Sequence, residues 1–399
     1  MRRIYLDHAA TTPVSREVLR AMEPYFAEKF GNAGSVHSFG QEAIAAIDRS
    51  RETVAEAVGA EFRGVVFTGS ATEANNLALR GVVKNYLRRA RSGSAPPKII
   101  VSAIEHESVL ETARELAFDG AEVVHLPVNR RGVVDFGALA RSLDGRTAIV
   151  SVMHGNNEVG VVEPIARLAR IIREFRENQA SVGDDAIHPL FHTDASQTFP
   201  YLDCDMNALG ADLMTISAHK MRGPKGVGAL CIRGGVAPLV PVTTGGGQEF
   251  GLRSGTENVP AIVGFARAVE IAARARERRS RRVETLRNFF MSEVLKLLPS
   301  ARLNIFSGTS HLPHIVSLHI PGCAAEDLIT ALDLRGIAVS AGSACSMRSL
   351  GPSHVLIALG LPEKRAMESI RASFGERTTR DEIKEATRQL KEAAKRLTK

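Results

Sequence analysis

At 399 residues the chain has room for two domains, each with its own core. Its 44% hydrophobic and 24% charged residues exclude a disordered or fibrous chain, and no apolar run reaches the roughly 20 residues needed to cross a bilayer. The formal charge of +7 owes much to Arg274-Ala-Arg-Glu-Arg-Arg-Ser-Arg-Arg282, which reads as the solvated face of a long helix; with aromatics at 5% and no Trp, direct nucleic-acid binding is not expected.

The N-terminus, Met1-Arg-Arg-Ile-Tyr-Leu-Asp7, is basic but lacks an apolar core and a small-residue cleavage site, which predicts a cytoplasmic protein. Strands are predicted at 65–68, 98–102, 122–126 and 148–153, with helices at 73–89, from Ser108, and at 165–177. Further apolar stretches, 189–194 and 211–217, each run into a polar cluster. This alternation predicts an α/β domain with a mostly parallel sheet covered by helices on both faces. Residues 178–189 look like an inserted surface loop. A long helix is predicted over 261–298, then a strand at 314–320, a helix from Ala325 and a basic helix from Thr379, which together suggest a smaller α+β domain.

Chemistry concentrates where strands should end. Asp194-Ala-Ser-Gln197 and Ser217-Ala-His-Lys220 each follow a strand, at the carboxyl edge where open α/β sheets bind ligands. A lysine there can form a Schiff base, and an aspartate can keep a pyridinium nitrogen protonated, so the pair points to pyridoxal 5′-phosphate (PLP). Gln197 is placed to reach the ring hydroxyl, with Ser217 and His219 as phosphate donors. Thr68-Gly-Ser-Ala-Thr-Glu73 opens a helix and can hold a phosphate through Ala71 and Thr72, or be an ordinary N-cap by Thr72. His106 can cover the cofactor ring or be a structural histidine. In Asn156-Asn-Glu-Val-Gly160, Asn157 can bind the ring hydroxyl or a substrate carboxylate, or form an Asx turn. Arg253-Ser-Gly-Thr256 ends a glycine-rich loop that is either suited to an anion or a plain surface loop. Arg371 can clamp a carboxylate.

The four cysteines form no Cys-x-x-Cys pair and no zinc spacing, so no metal is expected. Cys231 reads as a buried strand residue, and Cys204 and Cys323 as structural. Cys345, set among small residues in Ser340-Ala-Gly-Ser-Ala-Cys345, suits a nucleophile on an open loop.

Taken in order with Tyr5-Leu-Asp-His-Ala-Ala-Thr-Thr-Pro13, Gly31-Asn-Ala-Gly-Ser-Val-His37 and Glu105-His106, these segments resemble the cysteine desulfurases of the class-V aminotransferase family over nearly the whole chain. The resemblance implies a fold-type-I PLP-dependent transferase and a homodimer. It implies a large PLP-binding domain over 14–262 with a seven-stranded sheet, and a small domain built from 1–13 and 263–399. It makes Lys220 the Schiff-base lysine, Asp194 the pyridinium partner and His106 the stacking ring. Ala71, Thr72, Ser217 and His219 would hold the phosphate, with Thr256 from the other subunit. Asn32, Asn157 and Arg371 would bind the substrate, and Gln197 the ring oxygen. Cys345 would take the sulfur of L-cysteine as a persulfide, leaving L-alanine, and pass it to an acceptor protein such as an iron–sulfur scaffold. Selenocysteine lyase and a non-catalytic sulfur relay are the alternatives.

Overall fold

Seven strands form one sheet in the order Val65–Thr68, Gly228–Ile232, Leu213–Ser217, Leu190–Asp194, Thr147–Ser151, Lys98–Ser102, Glu122–Leu126. Gly228–Ile232 runs antiparallel to both neighbours; the other pairings are parallel. The computed structural model describes residues 3–89, 95–180, 188–234, 239–304, 308–342 and 351–398. Six of the seven strands are buried along their whole length, as a sheet covered on both faces requires; Glu122–Leu126, at the edge, is only partly buried.

Side-chain alternation divides the covering helices between the faces. Val65 and Phe67 point to one core, where they meet Ile47 and Val54 of the helix Ser38–Val58 and Phe265 of the helix Val259–Leu297. Val66, between them, joins the opposite core with Leu77 and Leu79 of the helix Ala71–Arg89. Ser38–Val58 was not foreseen. Its buried face is built largely from small residues, Ala43, Ala46, Ser50 and Ala55, which give a weak apolar signal. Gly59, at φ 69°, ends it in a left-handed cap.

A second core lies around the antiparallel trio Arg302–Leu303, Ile315–His319 and Ser369–Ser373. Val316, Leu318 and Ile370 pack there with Leu286 and Phe290 of the long helix and with Ile383 and Leu390 of the helix Arg380–Leu397. Ile4 and Leu6 belong to this core too, and Ile4–Tyr5 pairs in parallel with Ile337–Ala338. The 39-residue helix Val259–Leu297, about 58 Å long, therefore reaches across both cores. Its basic stretch is mostly solvated, as expected, with Arg274, Arg278 and Arg281 more than two-thirds exposed. Arg279 departs from that pattern. It is buried and donates to the carbonyl of Pro200 at 3.2 Å.

Candidate active site

The strands Lys98–Ser102, Thr147–Ser151, Leu190–Asp194 and Leu213–Ser217 all end at one cavity of about 200 Å³. Asp194 is the last residue of its strand and only 8% exposed. Its Oδ1 accepts from the backbone N–H of Ser196 at 2.9 Å, and its Oδ2 from Asn75 Nδ2 at 3.0 Å. Lys220 closes the short turn Ala218–Lys220 that follows Leu213–Ser217. Its Nζ donates to the carbonyls of Ala9 and Ala10 at 2.6 and 2.8 Å. The N-terminal segment is pinned beneath it, because Thr12 Oγ1 donates to the carbonyl of His219 at 2.7 Å and accepts from the N–H of Arg222 at 2.8 Å.

His106 follows Lys98–Ser102 and caps the helix Glu107–Phe118, accepting the Ser108 N–H on Nδ1 at 3.1 Å. Burial holds this imidazole below the usual histidine range, with Asp194 pulling the other way. Glu105, one residue earlier, is fully buried. Its Oε1 accepts from Ser102 Oγ at 2.5 Å and from the Met153 N–H at 2.7 Å. Burial pushes this carboxyl up to about 8, so it stays protonated at neutral pH.

The other end of the cavity is formed by Ser70, Ala71 and Thr72, where the helix Ala71–Arg89 begins. The cap is Ser70 rather than Thr72: Ser70 Oγ accepts the Glu73 N–H at 3.1 Å. Glu73 in turn accepts the Gly69 N–H at 2.6 Å and pairs with Arg253 at 2.8 Å, so the Arg253 guanidinium is already engaged. The first-turn N–H groups of Ala71 and Thr72 have no partner within the helix itself, as at any helix start. Ser217 Oγ and Ser196 Oγ are buried and without a hydrogen-bond partner. His219 stands beside them. Burial, then the charge of Lys220, lowers it to about 4.

Asn157, Gln197 and Arg371 also line the cavity. The Asx turn considered for Asn157 is made by its neighbour: Asn156 Oδ1 accepts the N–H groups of Glu158 and Val159, both at 2.9 Å. That leaves the Asn157 side chain to the cavity. Gln197 Nε2 donates to the carbonyl of Ala9 at 2.9 Å. Arg371, in the strand Ser369–Ser373, is 2% exposed; it donates to the carbonyl of Asn157 and to Asp7 Oδ1, each at 2.8 Å, while its Nε is buried and unpartnered.

Asn32, expected to bind substrate, is not at this cavity: it is exposed, with Oδ1 accepting the Gly34 N–H at 2.9 Å. Thr256, expected to serve the other subunit, is exposed on its loop. That loop is anchored by a buried ion pair, Arg51 with Glu249, at 2.7 and 2.9 Å. Cys345, and residues 181–187 of the inserted loop, lie outside the described residues. Cys204, Cys231 and Cys323 are free and buried. Asn75 and Ser108 line or back the cavity without having been foreseen. An amide inside a helical pattern has no local mark that sets it apart.

Residues 4–385 match the family model described as aminotransferase class-V. A cysteine desulfurase IscS of Dictyoglomus turgidum is 41% identical over 382 residues, covering 96% of this chain and 92% of that protein. Among solved structures, a NifS-like protein superposes with a TM-score of 0.88 at 36% identity, covering 98% of this chain and 99% of the other. The structure of SspA in complex with cysteine does so with a TM-score of 0.79 at 32% identity, over 94% and 100% of the two chains. With a match that runs almost from end to end and the mostly parallel sheet beneath it, the chain belongs to the class-V aminotransferase family.

Proposed function

We propose that this protein is a PLP-dependent cysteine desulfurase: it converts L-cysteine to L-alanine and keeps the sulfur as a persulfide on Cys345. The observation that carries this reading is the convergence of Lys220, Asp194 and His106 on one cavity, with a helix N-terminus at its far end.

The cavity suits PLP in three respects. The buried hydroxyls of Ser217 and Ser196 lack partners. Gly228 leaves room for the chain to close around the helix start, since a Cβ there would lie 2.9 Å from the carbonyl carbon of Ser70 and 3.0 Å from the nitrogen of Ala71. The polar groups are also divided by type, with a carboxylate at one end and neutral donors at the other. Ala71, Thr72, Ser217 and His219 would hold the phosphate, Asp194 the pyridine nitrogen, Gln197 the ring oxygen, and Lys220 the carbonyl carbon. Bound there, PLP supplies an electron sink for charge developing on the amino acid.

The chain's own residues do the rest. Asn157 and Arg371 orient the substrate carboxylate. His106 covers the ring as a neutral imidazole. Lys220 would move the proton at Cα. The Cys345 thiolate attacks the substrate sulfur; an S–S bond forms, the Cβ–S bond breaks, and the electron pair left on Cβ takes up a proton to give alanine. In a homodimer, Thr256 would reach the partner's phosphate site from its exposed loop.

The persulfide would pass to an acceptor protein, an iron–sulfur scaffold or a thiolation enzyme, in the cytoplasm. Among the described residues no helix is long and apolar enough to cross a membrane. The test is to supply L-cysteine and measure alanine together with the mass of the Cys345 peptide. One alanine per persulfide on Cys345, and neither product from Cys345→Ser, is expected. Undiminished alanine release by Cys345→Ser would overturn the thiol-attack step.

A further inference from the structure

A continuous hydrogen-bond chain joins Asp194 to His106 through two residues that the proposed function gives no role. Asn75 is completely buried and sits on the helix Ala71–Arg89. Its Nδ2 donates both hydrogens: one to Asp194 Oδ2 at 3.0 Å, the other to Ser108 Oγ at 2.8 Å. Its Oδ1 is buried and has no partner. Ser108 Oγ is in turn 2.9 Å from His106 Nδ1.

The direction of each bond follows from chemistry. A carboxylate only accepts, so the Asn75 amide must turn its NH2 toward Asp194; the reverse orientation would set two oxygens against each other. With Nδ2 committed, Ser108 Oγ accepts from Asn75. The single hydroxyl hydrogen of Ser108 then goes to His106 Nδ1. The backbone N–H of Ser108 points at the same nitrogen, at 3.1 Å. A nitrogen receiving two donors carries no hydrogen of its own, so the ring's proton is on Nε2.

We propose that Asn75 and Ser108 are positioning residues that fix His106 as the Nε2–H tautomer and orient the Asp194 carboxylate, both ends being set by one directed chain. The inference rests on the reading of Asp194 and His106 as the residues that flank the PLP ring. It adds that their relation is built into the protein before any ligand arrives. The charged and titratable groups whose fields act on His106 include Asp194, Lys220, Glu107 and His354, while the hydrogen bonds at Nδ1 come from Ser108. Nδ1 is therefore closed to proton transfer, and any proton His106 gives or takes during turnover passes through Nε2.

The test is the nitrogen-15 spectrum of the histidine-labelled full chain, recorded as purified, with His106 assigned by comparison with His106→Gln. A single Nε2–H tautomer is expected. In Ser108→Ala, Nδ1 loses one of two donors, so its resonance should move downfield, and kcat should fall about tenfold, the equivalent of one lost hydrogen bond of this class. Ser108→Thr, which keeps the hydroxyl, should restore both, a rescue that a merely structural role would not predict. Asn75→Ala should displace the same resonance. A proton on Nδ1 in the unmodified chain, or an Nδ1 resonance unmoved in folded Ser108→Ala, would overturn the proposal. Neither result touches the desulfurase reading, which alanine formation and the Cys345 peptide decide separately.

Discussion

The two ends of the cavity are built on opposite principles. At the Asp194 end the polar groups are joined to one another: Ser196 and Asn75 satisfy the carboxylate, and Asn75 hands on to Ser108 and His106. At the Ala71 end a donor stands without an acceptor: Ser217 Oγ is buried and unpaired. A connected network holds its geometry with or without a ligand, whereas unpaired buried donors cost stability until an anion meets them. In the proposed function the first end would direct chemistry and the second would capture a charged group.

This contrast predicts that the two ends fail differently. Asp194→Ala should lower kcat on the order of 10³-fold while PLP is still taken up, because charge stabilisation is lost and the anion site is intact. Loss of PLP binding with kcat of the loaded enzyme unchanged would reverse the assignment. Gly228→Ala should do the opposite. Its Cβ presses on the backbone of Ser70 and Ala71, so the apparent dissociation constant for PLP should rise roughly 10- to 100-fold, with kcat of the saturated enzyme largely kept. A titration of PLP uptake checks this. Ser217→Ala removes one unpaired donor and should weaken uptake by about 5-fold; a shift in kcat alone would contradict it.

The smallest expected effect lies away from the cavity lining. Glu163 is buried, takes the N–H of Val134 on both oxygens at 3.2 Å, and is pushed by burial from 4.5 to about 8. Its folded pKa is raised, so the native state holds a proton that the unfolded chain releases above about 4.5. Its contribution to stability is full below that pH and is lost as pH rises through about 8. In Glu163→Gln the decline in melting temperature between those values should be shallower than in the unmodified chain. Parallel curves would show that Glu163 is already ionised in the fold.

Much of this architecture is legible in the amino-acid order. Apolar runs that stop at a polar cluster, as at Asp194 and Lys220, mark strand ends because a buried strand can become polar only where it leaves the sheet. Less legible are contacts between distant residues. Asn75 meets Asp194 across 119 positions, and Lys220 meets the carbonyls of Ala9 and Ala10 across 211 and 210. Backbone carbonyls carry no side-chain signature, so nothing in residues 9–10 marks them as the lysine's partners. The strand Ser369–Ser373 is equally obscure, because its Ser369, Arg371 and Ser373 are polar yet buried and imitate a loop. The Ser70 cap was misplaced by two residues because Ser70 and Thr72 offer the same hydroxyl; only the geometry of Glu73 decides between them.

In the proposed function Lys220 is the residue that holds PLP. The most direct test is to reduce the PLP-loaded protein with borohydride, digest it and locate the pyridoxyl group by mass spectrometry. The label is expected on Lys220, and none in Lys220→Ala. A label on any other lysine, or a protein that takes up no PLP while still releasing alanine from cysteine, would contradict that role.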